Sequence, residues 1–443
     1  MFQKVLIANR GEIAVRAIRA CREMGIKTVA VYSQADKESL HVKYADEAVC
    51  IGKNVASDSY LDSYRILSTA VLTKADAIYP GTGFFSENAN FSELCDSCGI
   101  KFIGAKSDTL RALGDKMRAK ELAQKAGVPI VPASKELADS PEKCRELADA
   151  VGYPVILKAV DGGGGKGIRI VHNKEDLEKS YLMCLKEAES AFGSDKIFVE
   201  RFVGDARHIE VQILADTHGN VIHLYDRDCT MQRRSQKLIE EAPSVFIPDE
   251  IKEHIYEDAK RLIKSIGYAG AATVEFLYER SGNYYFMEVN PRVQVEHTVT
   301  ENITGVDIVK EQIRIAAGQE LSVTTLPKPT LHSIECRINA EDSKFMCSTG
   351  TITKCTFPQG GGIRVETFVQ AGTVIGPFYD SMIAKIISTA PTRELAIARM
   401  VEALSELDIE GVNTNKRFQM DLIQTAEFYD GSSNTTFVEE KLW

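Results

Sequence analysis

Glu288-Val-Asn-Pro-Arg-Val-Gln-Val-Glu-His297 lies just downstream of Val274-Glu-Phe-Leu-Tyr-Glu279. Both stretches alternate apolar and polar residues, the period of a half-buried strand. Arg280-Ser-Gly-Asn283 between them is turn chemistry. A hairpin with Ser281 and Gly282 at its tip sets Glu275 directly opposite Glu288, and cross-strand Cβ atoms lie roughly 5 Å apart. Asn290, two residues on, points to the same face. Two carboxylates and an amide oxygen on one face repel unless a cation sits between them. Hard oxygen ligands without Cys or His suit Mg²⁺ or Mn²⁺, the ions that accompany nucleotide phosphates. Arg292, Gln294 and Glu296 continue the parity, so the strand is expected to carry an anion-binding Arg and a base beyond the metal ligands. The alternative is a solvated polar face, which predicts mixed Lys and Thr rather than acids converging on an Arg.

The chain has 443 residues, enough for two to four domains. At 44% hydrophobic and 26% charged it reads as globular, and a net charge of −10 argues against nucleic-acid binding. No apolar run of about 18 residues is present, so no membrane span is expected. The first residues read directly into a strand, Lys4-Val-Leu-Ile-Ala8, so no charged-then-apolar leader is expected. Ten scattered cysteines predict a reduced, cytoplasmic protein. Cys95-Asp-Ser-Cys98 is a lone pair, read as structural.

Residues 4–33 read strand, helix, strand: Val5, Leu6 and Ile7 are buried, Ile13, Ala14, Ala17, Ile18 and Cys21 form one helical face, and Gly25 stops the helix. A further unit spans 75–104. These alternations predict an α/β, Rossmann-like N-terminal domain with a parallel sheet. Its first loop, Ala8-Asn-Arg-Gly-Glu12, lacks G-x-G-x-x-G, which argues against nicotinamide dinucleotides there. The expected domains are 1–114, 115–330 with a compact lid at about 131–203, and 331–443, the last a mixed or antiparallel α+β block.

Asp161-Gly-Gly-Gly-Gly-Lys-Gly167 contains the bare G-x-G-x-x-G spacing, but a strand, 168–171, follows it instead of a helix. A Walker loop fails too, because Gly167 stands where Ser or Thr belongs. Gly162, Gly163, Gly164, Gly165 and Gly167 therefore read as a hairpin that lays backbone N–H groups against phosphates. Lys166 lies within it and Lys158 on the strand before it.

The runs at 158–167, 231–237 (Met-Gln-Arg-Arg-Ser-Gln-Lys), 274–276 and 288–297 resemble the ATP-grasp superfamily. Across essentially the whole chain, from Ile7-Ala-Asn-Arg-Gly-Glu-Ile13 through Gly83-Phe-Phe-Ser-Glu-Asn88 to Tyr379-Asp-Ser-Met382, the resemblance is to the biotin carboxylases. It implies an ATP-grasp domain with a small mobile lid. It implies ATP phosphates at Lys116 and Lys158, adenine at Glu200 and the backbone of Arg201 and Val203, and ribose or phosphates near His208 and Gln232. Glu275, Glu288 and Asn290 would carry Mg²⁺ or Mn²⁺. Lys237, Arg292, Gln294 and Val295 would hold bicarbonate, and Glu296 would take its proton. The anion then attacks the γ-phosphate, the carboxyphosphate formed splits to CO₂ and phosphate, and that phosphate deprotonates biotin. Arg337 would stabilise the enolate-like oxygen.

The resemblance departs at three positions. Thr82 stands where an aromatic residue lines the biotin site, Ser235 where His is common, and Gly361 where an aromatic packs across a dimer contact served by Arg19, Glu23 and Arg364. The chain ends without an Ala-Met-Lys-Met biotinylation motif. It is therefore expected to be the free-standing subunit of a bacterial acetyl-CoA carboxylase. Its expected partners are a biotin carboxyl carrier protein, carboxyltransferase subunits and a second copy of itself. Two other readings stay open: another ATP-grasp carboxylate–amine ligase, and a non-catalytic nucleotide-binding assembly subunit.

Overall fold

The computed structural model describes residues 1–134, 136–159, 167–192 and 196–441. The expected phosphate lid at Gly162, Gly163, Gly164, Gly165 and Lys166 lies outside the described residues.

The apolar run Val5, Leu6, Ile7 is sealed on both faces because its strand is central. β1 (Lys4–Ile7), β2 (Lys27–Ser33), β3 (Glu47–Gly52), β4 (Ala77–Tyr79) and β5 (Lys101–Phe102) form a parallel sheet in the order β3-β2-β1-β4-β5. Leu6 sits between Val29 and Ile78. The helix Gly11–Glu23 buries Ile13, Ala14, Ala17, Ile18 and Cys21, and Gly25 follows it at φ +72°.

β6 (Val155–Ala159), β7 (Ile168–Val171) and β8 (Ile197–Arg201) form a small antiparallel sheet with β6 in the middle. Helices Pro141–Val151 and Leu177–Phe192 cover it, and Leu147, Leu157, Val171, Tyr181 and Cys184 make its core.

The site is built on a third sheet. β9 (Ala206–Ala215), β10 (Val221–Arg233), β11 (Gln236–Ala242), β12 (Gly270–Glu279), β13 (Tyr284–Asn290) and β14 (His332–Asn339) join strands Met382–Ala390 and Ile363–Thr367 in one eight-stranded array. The order runs β13-β12-β9-β10-β11-β14, then Met382–Ala390, then Ile363–Thr367. Strands from beyond residue 331 therefore extend the same sheet that carries the acidic hairpin.

Two local expectations need correction. Glu275 does face Glu288, but near the turn Phe276 faces Phe286 and Tyr278 faces Tyr284. The tip is thus one residue tighter than expected, and an extra residue, Met287, bulges out before Glu288. The bulge turns Phe286 into the core and Glu288 to the opposite face, beside Glu275. Second, the strand ends at Asn290. Arg292, Gln294 and Glu296 lie on an irregular turn that leads into the helix His297–Thr304, so side-chain parity does not place them.

Candidate functional site

One row of directly opposed residues crosses four strands: Glu288 on β13, Glu275 on β12, Glu210 on β9 and Arg227 on β10. Opposed residues share a face, so three carboxylates stand side by side, and like charges placed this way destabilise a sheet. Two buried cations offset them. Arg227, fully buried, pairs with Glu210 and donates to Gln212, Thr300, Thr273 and Gln294 at 2.8–3.1 Å. Lys237, on β11, places its Nζ 2.5 Å from Glu210, 3.2 Å from Glu275 and 2.6 Å from Glu296.

Glu296 is held from both sides, because Arg337 on β14 donates Nη2 to its second oxygen at 2.9 Å. Burial alone would raise this carboxyl, but Lys237, Arg337 and Arg227 hold it well below the ordinary range. Burial likewise works against Lys237, yet Glu210, Glu275 and Glu296 keep its ammonium charged. Arg337 is anchored in turn by Glu240, whose Oε1 accepts from Nε at 2.6 Å.

The metal-ligand expectation can be tested on the donor set. Burial and the neighbouring Glu275 push Glu288 above the ordinary carboxyl value. Glu275 moves down despite burial, through Lys237 and His208, whose Nε2 lies 2.8 Å from its Oε2. A pair of facing carboxylates, one forced toward its neutral form, is a donor set that fits a divalent cation. Asn290 is turned differently from the expectation. Its Nδ2 donates to Glu275 at 2.8 Å and reaches Glu288 at 3.5 Å, while its Oδ1 accepts from Arg292 at 3.0 Å. The amide N–H thus points at the two carboxylates, and Asn290 would have to rotate to offer its oxygen to a cation.

Around this centre, Arg292 pairs with Glu87 of the 81–88 loop, and Gln294 donates to Glu275 at 2.7 Å. Thr82, in that loop, gives its carbonyl to Asn9 Nδ2 at 2.8 Å. Gln232 Nε2 lies 3.5 Å from His208 Nδ1. On the other side, Glu200 is buried between Lys158 and Lys120. Burial and repulsion from Lys116 push Lys158 down to about 8, against the pull of Glu288. Burial and the other two lysines push Lys120 to about 7. Arg201 bonds Glu279 at 3.0 Å and lies over the Tyr285 ring. Val203 packs with Val131 and Ala206.

Sequence patterning missed Glu210, Arg227, Glu240 and Lys120. The first two sit in strands buried at most positions on both faces, where alternation carries no signal. Lys120 follows Lys116 at helical spacing, the one cue available. No helix among the described residues is long and apolar enough to cross a membrane.

Three family models cover the chain: "Biotin carboxylase, N-terminal domain" over 1–110, "Carbamoyl-phosphate synthase L chain, ATP binding domain" over 115–324, and "Biotin carboxylase C-terminal domain" over 335–440. Together with the charged sheet face, they define an ATP-dependent ligase of the ATP-grasp class. Biotin carboxylase 1 of Bacillus subtilis is 50% identical over 99% of this chain and 98% of its own length. A pyruvate carboxylase subunit from Methanothermobacter thermautotrophicus is 49% identical over 99% and 90%. The biotin carboxylase domain dimer of Hydrogenobacter thermophilus 2-oxoglutarate carboxylase, solved with MgADP, ADP and bicarbonate, superposes with a TM-score of 0.94 at 48% identity, covering 99% and 98% of the two chains. The chain belongs to the biotin carboxylase family.

Proposed function

We propose that this chain carboxylates the ureido nitrogen of biotin on a separate carrier protein, with ATP and bicarbonate as co-substrates, as the first half-reaction of an acetyl-CoA carboxylase. The observation that carries this reading is the Glu296 carboxylate held between Lys237 at 2.6 Å and Arg337 at 2.9 Å. Lys237 and Arg337 both reach Glu296 while bonded to other carboxylates, so an arriving anion competes with Glu296 for their charge. Bicarbonate drawn to Lys237, Arg292, Gln294 and the Val295 segment takes part of the lysine's charge. Glu296, less stabilised as an anion, then becomes basic enough to take the bicarbonate proton.

Lys116 and Lys158 hold ATP phosphates, and the run Gly162, Gly163, Gly164, Gly165, Lys166 and Gly167 is assigned to the same phosphates from its sequence. Glu200, Arg201 and Val203 serve the adenine, and His208 and Gln232 the ribose or phosphates. Glu275 and Glu288, with Asn290 after its amide turns, would hold Mg²⁺ or Mn²⁺, which supplies charge neutralisation at the transferring phosphoryl group. Bicarbonate oxygen attacks the γ-phosphorus and ADP leaves. The carboxyphosphate splits into CO₂ and phosphate, the phosphate takes the ureido proton, and the nitrogen bonds to CO₂. Arg337 faces the negative oxygen that this deprotonation creates.

Relatives named for pyruvate and 2-oxoglutarate carboxylation match at nearly the same identity, which supports leaving the choice of carboxyl acceptor to separate carboxyltransferase subunits. We read the assembly as a homodimer. Arg19, 3.6 Å from Glu366, and Arg364, 2.9 Å from Glu301, lie in the charged surface that would meet the partner copy, beside the exposed Gly361. The test is ADP release from ATP and Mg²⁺, with and without bicarbonate and free biotin. Release that needs bicarbonate and rises with biotin is expected. Turnover that ignores bicarbonate and responds to an amine moves the chain to another ATP-grasp ligase.

A further inference from the structure

We propose that Lys385 and Glu12 form a buried positioning pair whose task is to fix the Val295 peptide, and so to aim Glu296. The inference rests on the bicarbonate reading of this site. Lys385 lies in the strand Met382–Ala390 and is fully buried. Its Nζ donates to the Val295 carbonyl at 2.6 Å, while the Glu12 carboxylate stands 3.5 Å away. Glu335 and Glu366 add negative charge around it.

A buried ammonium needs carboxylates nearby to remain charged. A lysine present only to balance Glu12 has no reason to make the shorter contact with a neutral carbonyl. Here the carboxylates keep the ammonium charged, and its donor goes to the loop. Val295 lies between two residues already anchored from other strands: Gln294 by Arg227, and Glu296 by Lys237 and Arg337. Lys385 supplies the remaining anchor of this three-residue run. Because the peptide is planar and trans, turning the Val295 carbonyl to Lys385 turns the Glu296 N–H the opposite way. That fixes the backbone from which the Glu296 side chain departs.

Glu12 gives the N-terminal helix a part in this. It opens the helix Gly11–Glu23 within the run Asn9-Arg-Gly-Glu12, which no step of the reaction uses. Asn9 of the same run donates to Pro80 and Thr82 carbonyls at 2.6 and 2.8 Å. One short N-terminal segment thus steadies both the 80–82 turn and, through Lys385, the 294–296 turn.

The test compares wild type, Lys385→Met, and the double variant Glu12→Gln with Lys385→Met, in steady-state ATP cleavage and in thermal unfolding. Lys385→Met strands Glu12 and lowers the unfolding midpoint. The double variant removes both charges and recovers the part of that loss due to Glu12, with Glu335 and Glu366 still facing the vacated position. In both variants the bicarbonate KM rises about tenfold or more, with the ATP KM changed less than about twofold, because a misplaced loop costs the substrate it positions. If Lys385→Met proves insoluble, the double variant alone decides between the same outcomes. A double variant that regains wild-type bicarbonate KM along with its stability reduces the pair to a core ion pair and overturns the inference. Unchanged bicarbonate KM in the variants overturns it as well, leaving the site reading intact. Wild type without bicarbonate dependence removes both.

Discussion

Glu275 and Glu210 sit directly opposite one another on neighbouring strands, with the Lys237 ammonium 3.2 Å from the first and 2.5 Å from the second. Flanked by Glu288 and Arg227, they make the sheet face a store of negative charge held in check by two buried cations. Burial opposes every charge in the row, and the ionised carboxylates persist because Lys237 and Arg227 stand among them.

Lys237→Met should therefore lower stability as well as activity. Removing one partner from a buried ionic cluster costs about 3 kcal/mol or more. In wild type, Glu275 and Glu296 have depressed values, so they stabilise the fold above the unfolded carboxyl value and lose that contribution as pH falls. Without Lys237 the cluster keeps its burial and mutual repulsion but loses the cation nearest to Glu210, Glu275 and Glu296, so Glu275 and Glu296 rise and their ionisation stabilises the fold less. Unfolding midpoints measured at pH 5 and pH 8 should show the larger deficit at pH 8. An equal deficit at both would mean that Lys237 acts through packing.

Much of this arrangement was legible in the sequence, and the parts that were not have specific physical reasons. The uninterrupted run at Val5, Leu6 and Ile7 announced a strand buried on both faces. Alternation and a Gly-containing turn set Glu275 against Glu288. The bulge at Met287 was invisible, since counting residues along a strand cannot reveal that one of them is unpaired. Arg227 and Glu210 were hidden because their strands are buried on both sides, and a charged residue there is explained only by partners far away in the chain. Glu240 shows the same limit. It lies directly opposite Glu335, and only the folded sheet brings that strand alongside.

Glu288→Gln should separate function from stability. Burial and Glu275 push the Glu288 carboxyl up, so its ionised form is destabilising, and the penalty grows as pH rises through its folded value. The amide removes that penalty, and the unfolding midpoint at pH 8 should stay level or rise. Turnover should fall by about a hundredfold or more, with loss of the ordinary Mg²⁺ dependence, because the remaining carboxylate would hold too weakly the cation that neutralises the transferring phosphoryl group. Near-normal turnover with ordinary Mg²⁺ dependence would remove these carboxylates from the metal site.

The pH profile tests Glu296. Its value in the free enzyme lies well below the ordinary carboxyl range, and kcat/KM reports the free enzyme. The profile of kcat/KM for bicarbonate, measured in ATP cleavage without biotin, should show no acid limb from Glu296 between about pH 5.5 and 8. Arg337→Met removes one of the charges that hold it down. An acid limb should then enter from the low-pH side, together with a lower rate in the biotin-dependent reaction. A profile identical to wild type would show that Lys237 and Arg227 alone set the Glu296 value.

Thr82→Tyr should lower the KM for free biotin. Thr82 is half-buried between Gly81 and Gly83, at φ +65° and +70°, and Asn9 pins its carbonyl. Its aromatic neighbours are committed elsewhere. Phe85 stacks on Phe91 at 4.2 Å within the core, and Phe84 stacks on Tyr60 at 5.1 Å. Neither ring substitutes for an aromatic at position 82. Glu87, five residues on, pairs with Arg292, which ties this loop to the turn that carries Glu296. A tyrosine ring at 82 adds apolar contact for a bicyclic substrate, and burying part of it contributes about 1 kcal/mol, a several-fold change in KM. The ATP KM should not follow, because that substrate is expected at Lys116, Lys158 and Glu200. Steady-state kinetics with biotin varied at saturating ATP and bicarbonate make the comparison. A raised ATP KM with an unchanged biotin KM would assign the loop to the nucleotide, and reduced biotin use would show that the space beside Thr82 is already filled.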